Sequence, residues 1–115
     1  MCHVLIIEDE PIVALMIQDA LAEEGATSFA FAATQDEAVA AAIEQPPALI
    51  TSDVKLLEGT GPLAVAEIQA RIGRVPVMFL TATPAECHPC EVASVIIAKP
   101  FDRFALKSAF HDLMG

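Results

Sequence analysis

The stretch H-V-L-I-I-E-D-E-P-I-V-A-L, residues 3–15, decides the fold of this chain. Val4 to Ile7 form a short apolar run of the kind found in a strand that is buried on both faces. The run ends at three consecutive acids, and Pro11 after them can occupy the first turn of a helix. Because neighbouring carboxylates repel one another, the three acids indicate a site for a cation, and a bound metal ion is the first hypothesis.

The composition favours one compact domain, residues 1–115, of α/β or all-α class. Hydrophobic residues make up 55% of the chain and charged residues 19%, which excludes a disordered segment. Six basic residues against sixteen acidic ones leave a net charge of −10, so direct binding to nucleic acid is not expected. The apolar runs are far shorter than the roughly 20 residues of a membrane helix. We therefore predict a cytoplasmic protein without a membrane partner.

The pattern of an apolar strand followed by a helix repeats along the chain. Helices are predicted after Pro11, after a capping-box sequence at residues 34–37, and after Pro62. A last amphipathic helix is predicted near the C-terminus, with three core phenylalanines, Phe101, Phe104 and Phe110. Strands that alternate with helices indicate a parallel sheet covered on both faces. The predicted strands are residues 4–7, 28–32, 48–52, 77–80 and 95–97.

Polar residues stand at the carboxyl ends of four of these strands. Glu8 and Asp9 follow the first strand, Asp53 the third, Thr81 the fourth and Lys99 the fifth. In parallel α/β sheets these ends lie at one edge, where ligands bind. A set of carboxylates with a hydroxyl and a lysine is poor for zinc, which prefers Cys and His, but its oxygens suit Mg²⁺. An aspartate in such a site can attack phosphorus, and Asp53 is the predicted nucleophile.

Four short motifs in this order are similar to those of a known family. They are I-I-E-D-E, L-I-T-S-D-V, F-L-T-A and A-K-P-F, each at the end of a predicted strand. Together they resemble the receiver (CheY-like) domains of two-component response regulators, and the likeness covers essentially the whole chain. The resemblance implies a doubly wound, five-stranded parallel sheet of order 2-1-3-4-5, flavodoxin-like, with helices on both faces.

The resemblance also implies roles for the acids. Asp53 would accept a phosphoryl group from a histidine kinase or a histidine phosphotransfer protein. Glu8 and Asp9 would hold Mg²⁺ together with Asp53, and Lys55 would add its backbone carbonyl as a metal ligand. The phosphorylated domain would then switch its contacts with a downstream protein target.

The remaining two strand ends receive roles in the same way. Thr81 would donate its hydroxyl to a phosphoryl oxygen, and Lys99 would neutralise another oxygen, next to a cis peptide bond before Pro100. Phosphoryl transfer relies mainly on positioning and on neutralisation of charge, so these side chains suit that chemistry. The chain is interpreted as a regulatory domain rather than an enzyme.

Three features depart from the family pattern and predict a non-standard output face. In the loop after Asp53, Leu57 replaces a frequent proline, which would alter the mobility of the loop. The position three residues before the lysine, usually Tyr or Phe, is Ile96, and the chain has no tyrosine. The separation between Thr81 and Lys99 is shorter than in typical receivers, and Pro84 and Pro89 within it predict a short or irregular fourth helix.

Two alternative functions remain at this stage. A small Mg²⁺-dependent phosphatase of the haloacid-dehalogenase type also uses an aspartate nucleophile, but it needs a second aspartate where this chain has Lys55. The C-H-P-C sequence, Cys87 to Cys90, could serve a redox or metal-binding module. The sequence also leaves open whether the domain stands alone or belongs to a larger protein.

Overall fold

The computed structural model describes residues 2–56, 58–81 and 95–114. Within these ranges five strands and four helices follow one another along the chain. The predicted short or irregular helix, together with Leu57, Cys87 and Cys90, lies outside the described residues. The elements are β1 (His3–Ile7), α1 (Pro11–Glu23), β2 (Ser28–Ala32), α2 (Gln35–Glu44), β3 (Leu49–Asp53), α3 (Gly61–Ile72), β4 (Val77–Thr81), β5 (Val95–Ala98) and α4 (Arg103–Met114).

The five strands form one parallel sheet in the order β2-β1-β3-β4-β5, which confirms the predicted fold class. Side chains of β1 alternate between two cores, one on each face of the sheet. Leu5 and Ile7 pack with residues of α2 and α3. Val4 and Ile6 pack with residues of α1 and α4. Burial on both faces explains why the strand carries an unbroken apolar run.

Local sequence signals define where the helices begin. Pro11 is the first residue of α1, where its missing N–H costs no hydrogen bond. Thr34 caps α2 by accepting a hydrogen bond from the Glu37 N–H at 3.2 Å, as the capping-box sequence predicted. Thr60 caps α3 in the same way. These caps fix the helices that follow two of the loops at the carboxyl edge.

The prediction that Phe104 is a core residue is wrong, because its side chain is 78% exposed. The buried side of α4 is formed by Leu106 and Phe110, with Leu113 half-buried beside them. Phe104 precedes Leu106 by two residues, which places it about 200° away around a helix of 3.6 residues per turn. Phe110 is buried as predicted, while Phe101 packs against the same core from the segment before α4.

In α1 the buried residues are Ala14, Ile17, Ala20 and Leu21, whereas Ile12 and Leu15 are exposed. None of the helices in the described ranges has the length and apolar character of a membrane span.

Candidate functional site at the carboxyl edge of the sheet

The fold brings the predicted polar residues to one edge of the sheet. Glu8 directly follows β1, Asp53 and Thr81 are the last residues of β3 and β4, and Lys99 directly follows β5. The register places Asp53 beside Leu80 and Thr81 beside Ala98, so neighbouring strands end at nearly the same height. Residues distant in the sequence therefore share one edge of the sheet.

Lys99 connects two of the acids. Its Nζ lies 3.3 Å from Oδ2 of Asp53 and 3.7 Å from Oε2 of Glu8. Its backbone N–H donates to the carbonyl oxygen of Thr81 at 2.8 Å, which fixes the main chain of Lys99 against the end of β4. The Lys99–Pro100 peptide bond is cis, as the resemblance implied. The lysine is thus held by its backbone, and its ammonium group lies between two carboxylates.

Glu8 is an acid in a buried position. Its side chain is 1% exposed, and Oε1 accepts a hydrogen bond from the Glu10 N–H at 3.3 Å. The other oxygen, Oε2, is buried without a hydrogen-bond partner within the described residues. Loss of solvation, followed by repulsion from Asp53, raises the pKa of Glu8 to about 7, although the charge of Lys99 opposes the rise. A second cation beside this oxygen would favour the ionised form.

The acids after β1 form a group of potential metal ligands. One carboxylate oxygen from each of Glu8, Asp9 and Glu10 lies within 4.8 Å of the others. Glu10, whose side chain is exposed, was not among the predicted ligands, although its place as the third consecutive acid was a visible signal. These donors fit Mg²⁺, because all are oxygens and the buried Oε2 of Glu8 has no hydrogen-bond partner within the described residues.

Asp53 has one oxygen fixed and the other directed at Lys99. Its Oδ1 accepts a hydrogen bond from the Val54 N–H at 2.8 Å, while Oδ2 faces the lysine. Behind it, Gly61 packs so closely that a Cβ there would lie 1.9 Å from the Asp53 carbonyl oxygen. The Gly61 N–H also donates to the carbonyl of Val54 at 2.8 Å. The close contact of Gly61 holds the loop after β3 against the main chain of Asp53. This contact was not predicted from the sequence.

The other predicted residues are placed as follows. Thr81 is buried at the end of β4. Lys55 lies two residues beyond Asp53, with an exposed side chain and a backbone that pairs with Thr60. Asp9 is half-buried beside Glu8. The edge of the sheet therefore carries acids next to one fixed lysine, an arrangement suited to a cation and a phosphoryl group.

Comparison with known proteins agrees with this geometry. Residues 4–111 match the family model of the response regulator receiver domain. The chain is 36% identical over 102 residues to the phyllosphere-induced regulator PhyR of Methylorubrum extorquens. That alignment covers 86% of this chain but only 38% of the relative, so the chain spans well under half of that protein's length.

Two solved structures share the whole fold. The PhyR response regulator REC domain of Erythrobacter litoralis superposes with a TM-score of 0.87 at 28% identity, covering 98% of this chain and 89% of that one. The receiver domain of a sensor histidine kinase from Pseudomonas aeruginosa PAO1 superposes with a TM-score of 0.85, also at 28% identity, covering 99% and 98% of the two chains. That structure contains a magnesium ion coordinated in the active site cleft. The family match over nearly its whole length shows that the chain belongs to the response regulator receiver domain family.

Proposed function

We propose that the chain is a phosphoacceptor receiver in which Asp53 accepts a phosphoryl group from a phosphohistidine donor. The observation that carries this proposal is the position of the Lys99 ammonium group, 3.3 Å from Oδ2 of Asp53 and 3.7 Å from Oε2 of Glu8. The half-buried aspartate provides the nucleophile. The cation beside it provides a partner for the negative charge of the phosphoryl group that the aspartate receives.

In the proposed reaction, Oδ2 of Asp53 attacks the phosphorus atom of the donor. The new O–P bond forms as the P–N bond of phosphohistidine breaks, and the imidazole leaves with the electron pair. The hydrogen bond from the Val54 N–H to Oδ1 fixes the orientation of the carboxylate before the attack. The product is an aspartyl phosphate on Asp53.

Neutralisation of the phosphoryl oxygens is assigned to two further residues. The Lys99 ammonium group would pair with one oxygen, since its backbone is already fixed to Thr81. The hydroxyl of Thr81, at the end of the neighbouring strand, would donate to another. Positioned charge of this kind is the main source of rate in phosphoryl transfer.

The magnesium ion is assigned to Glu8, Asp9, Asp53 and the backbone carbonyl of Lys55. Support comes from the carboxylate oxygens of Glu8 and Asp9, which group with one of Glu10, and from the buried Oε2 of Glu8, which has no hydrogen-bond partner within the described residues. When bound, the ion supplies positive charge to the transferred phosphoryl group.

The proposed output is a change of protein contacts. A histidine kinase or a histidine phosphotransfer protein supplies the phosphoryl group in the cytoplasm, and a downstream protein responds to the phosphorylated surface. The output face differs from the family pattern because Ile96 on β5, which is 40% exposed, provides no aromatic ring to move inward. We therefore propose that the change of protein contacts on phosphorylation does not rely on the inward rotation of an aromatic side chain on β5.

The test is phosphorylation by acetyl phosphate, with and without Mg²⁺, read as intact mass. We expect one added phosphoryl group that requires Mg²⁺ and is absent from Asp53→Asn. Asp112→Asn, which makes the same charge change at an exposed position on α4, serves as the control and should be phosphorylated normally. An adduct that persists in Asp53→Asn would contradict the proposal.

If acetyl phosphate gives no adduct, the experiment is repeated with a phosphorylated histidine phosphotransfer protein as the donor. Transfer to the unmodified chain and not to Asp53→Asn supports the proposal. Absence of transfer from both kinds of donor, in a chain that binds Mg²⁺, would overturn it.

A further inference from the structure

The outer edge of the sheet at β2 lacks the usual protection against strand pairing. β2 is the terminal strand of the sheet, and within the described residues only β1 lies beside it. Its sequence, S-F-A-F-A, contains neither a charged residue nor proline. Natural edge strands commonly carry charges, proline or bulges that prevent pairing with other chains. This edge is therefore open to a further strand.

The backbone groups that point outward belong to Phe29 and Phe31. On the inner side, Ser28 N–H donates to the carbonyl of Cys2, and the carbonyl of Ala32 accepts from Glu8 N–H. Because residues of a parallel strand alternate between its two edges, Phe29 and Phe31 direct their N–H and C=O groups away from β1. Two donors and two acceptors thus form the free edge.

We propose that this edge pairs with β2 of a second copy of the chain, antiparallel and centred on Ala30. In this register Phe29 of each copy lies opposite Phe31 of the other, and Ala30 lies opposite Ala30. The two phenylalanine pairs exchange both backbone hydrogen bonds, so that every outward group of the strand gains a partner. The order of residues about Ala30 makes the edge self-complementary, as a two-fold interface requires.

The side chains support the same register. Phe29 pairs with Val4 and Phe31 with Ile6, so both rings lie on the face of the sheet that carries α1. Phe31 is 49% exposed and lines a groove together with Leu15 of α1. Antiparallel pairing would bring each Phe29 next to Phe31 of the other copy, and aromatic cross-strand pairs stabilise sheets. The exposed apolar surface at this edge would be covered.

Charge opposes the association and makes it responsive to salt. Each copy carries a net charge of −10, so two copies repel each other. Added salt screens this repulsion, because the Debye length shortens to about 8–10 Å near physiological ionic strength. The dimer is therefore expected to strengthen as NaCl is raised. This inference does not depend on the proposed phosphoryl chemistry.

The first experiment is sedimentation equilibrium of the 115-residue chain over a wide concentration range. The average mass should rise from 12.2 kDa toward twice that value, and more readily at higher salt. Phe31→Lys places a charge on the edge and should raise the dimer dissociation constant about tenfold or more. Leu63→Lys on α3 makes the same charge change at a residue that is also 49% exposed, and should leave association unchanged. Circular dichroism verifies that both variants fold.

The second experiment tests the register. In a background with Cys2, Cys87 and Cys90 replaced by serine, Ala30→Cys should cross-link two copies when oxidised with copper phenanthroline, since opposed residues without mutual hydrogen bonds lie about 4.5 Å apart between Cα atoms. Ser28→Cys in the same background should not, because its two copies would be separated by four residues, or about 13 Å.

A chain that stays monomeric throughout the concentration range overturns the inference. So does equal weakening by Phe31→Lys and Leu63→Lys, or cross-linking by Ser28→Cys in preference to Ala30→Cys.

Discussion

The Nζ atom of Lys99 lies 3.3 Å from Oδ2 of Asp53, although 46 positions separate the two residues in the chain. Replacing Lys99 with methionine keeps the apolar stem but removes the charge. We expect phosphorylation by acetyl phosphate to slow at least about tenfold, because the phosphoryl oxygens lose a fixed cation. The rate of adduct formation by intact mass is the measurement.

Lys107→Met is the matched control for this prediction. Lys107 bonds to Glu23 between α4 and α1, so its loss removes the same charge from the chain. An equal slowing in both variants would show that net charge, and not the position of Lys99, controls the rate.

The raised pKa of Glu8 predicts a pH-dependent difference in stability between the chain and its Glu8→Gln variant. Without metal, the folded chain retains the Glu8 proton up to about pH 7, whereas the unfolded chain releases it near 4.5. The contribution of the Glu8 carboxyl to the stability of the folded chain is therefore fully present below pH 4.5 and is lost as the pH rises through 7. Glutamine carries no charge to desolvate, so at pH 8 the variant should be more stable by about 1–3 kcal/mol.

Urea unfolding of both proteins in EDTA, from pH 5 to pH 8, measures this difference. The difference in unfolding free energy between the two proteins at each pH cancels the titration of the other carboxyl groups. Added Mg²⁺ at pH 8 should stabilise the unmodified chain more than Glu8→Gln. A stability difference that does not vary with pH would show that Glu8 is not held in its protonated form.

The close approach of Gly61 to Asp53 predicts that Gly61→Ala is destabilising. A Cβ would lie 1.9 Å from the Asp53 carbonyl oxygen and 2.3 Å from Oγ of Ser52. Alanine favours a helix over glycine by up to about 1 kcal/mol, but overpacking against backbone costs about 1–3 kcal/mol and should dominate. Chemical denaturation gives the change in unfolding free energy. The double variant with Ser52→Ala should recover only part of it, because the carbonyl contact remains.

The two ion pairs of Glu23 are expected to make a small, salt-sensitive contribution to the free energy of unfolding. Glu23 at the end of α1 bonds to both Arg103 and Lys107 of α4. These side chains are partly exposed, so Glu23→Gln should cost about 0.5–1 kcal/mol in dilute buffer and less in 1 M NaCl. Glu44→Gln at an exposed position of α2 is the control. A loss that does not diminish with salt would argue against an electrostatic origin.

The sequence predicted the strands well because each is a short apolar run with a polar residue at its carboxyl end. Burial on both faces leaves few other ways to place Val4 to Ile7, and the order of the sheet followed from the family resemblance. The convergence of Glu8, Asp53 and Lys99 was predictable for the same reason, since parallel strands share one carboxyl edge.

The errors concern the rotation of helices and the closure of loops. Phe104 fits an apolar helical pattern, but only packing against α1 decides which stripe of a short helix is buried. The exposed Ile12 and Leu15 of α1 likewise show that apolar character alone does not place a helical residue in the core. The contact between Gly61 and Asp53 depends on how the loop after β3 folds back, and no local pattern of residues encodes that distance.

The bond from the Lys99 N–H to the Thr81 carbonyl has a consequence for how such domains vary in length. Together with the pairing of Thr81 and Ala98, it joins the two site residues directly across the ends of β4 and β5. The entropic cost of closing a connection grows only slowly with its length, by about 0.6 kcal/mol for each doubling. A connection of different length between β4 and β5 would therefore change the closure free energy only slightly, while the same two backbone contacts set the position of Lys99.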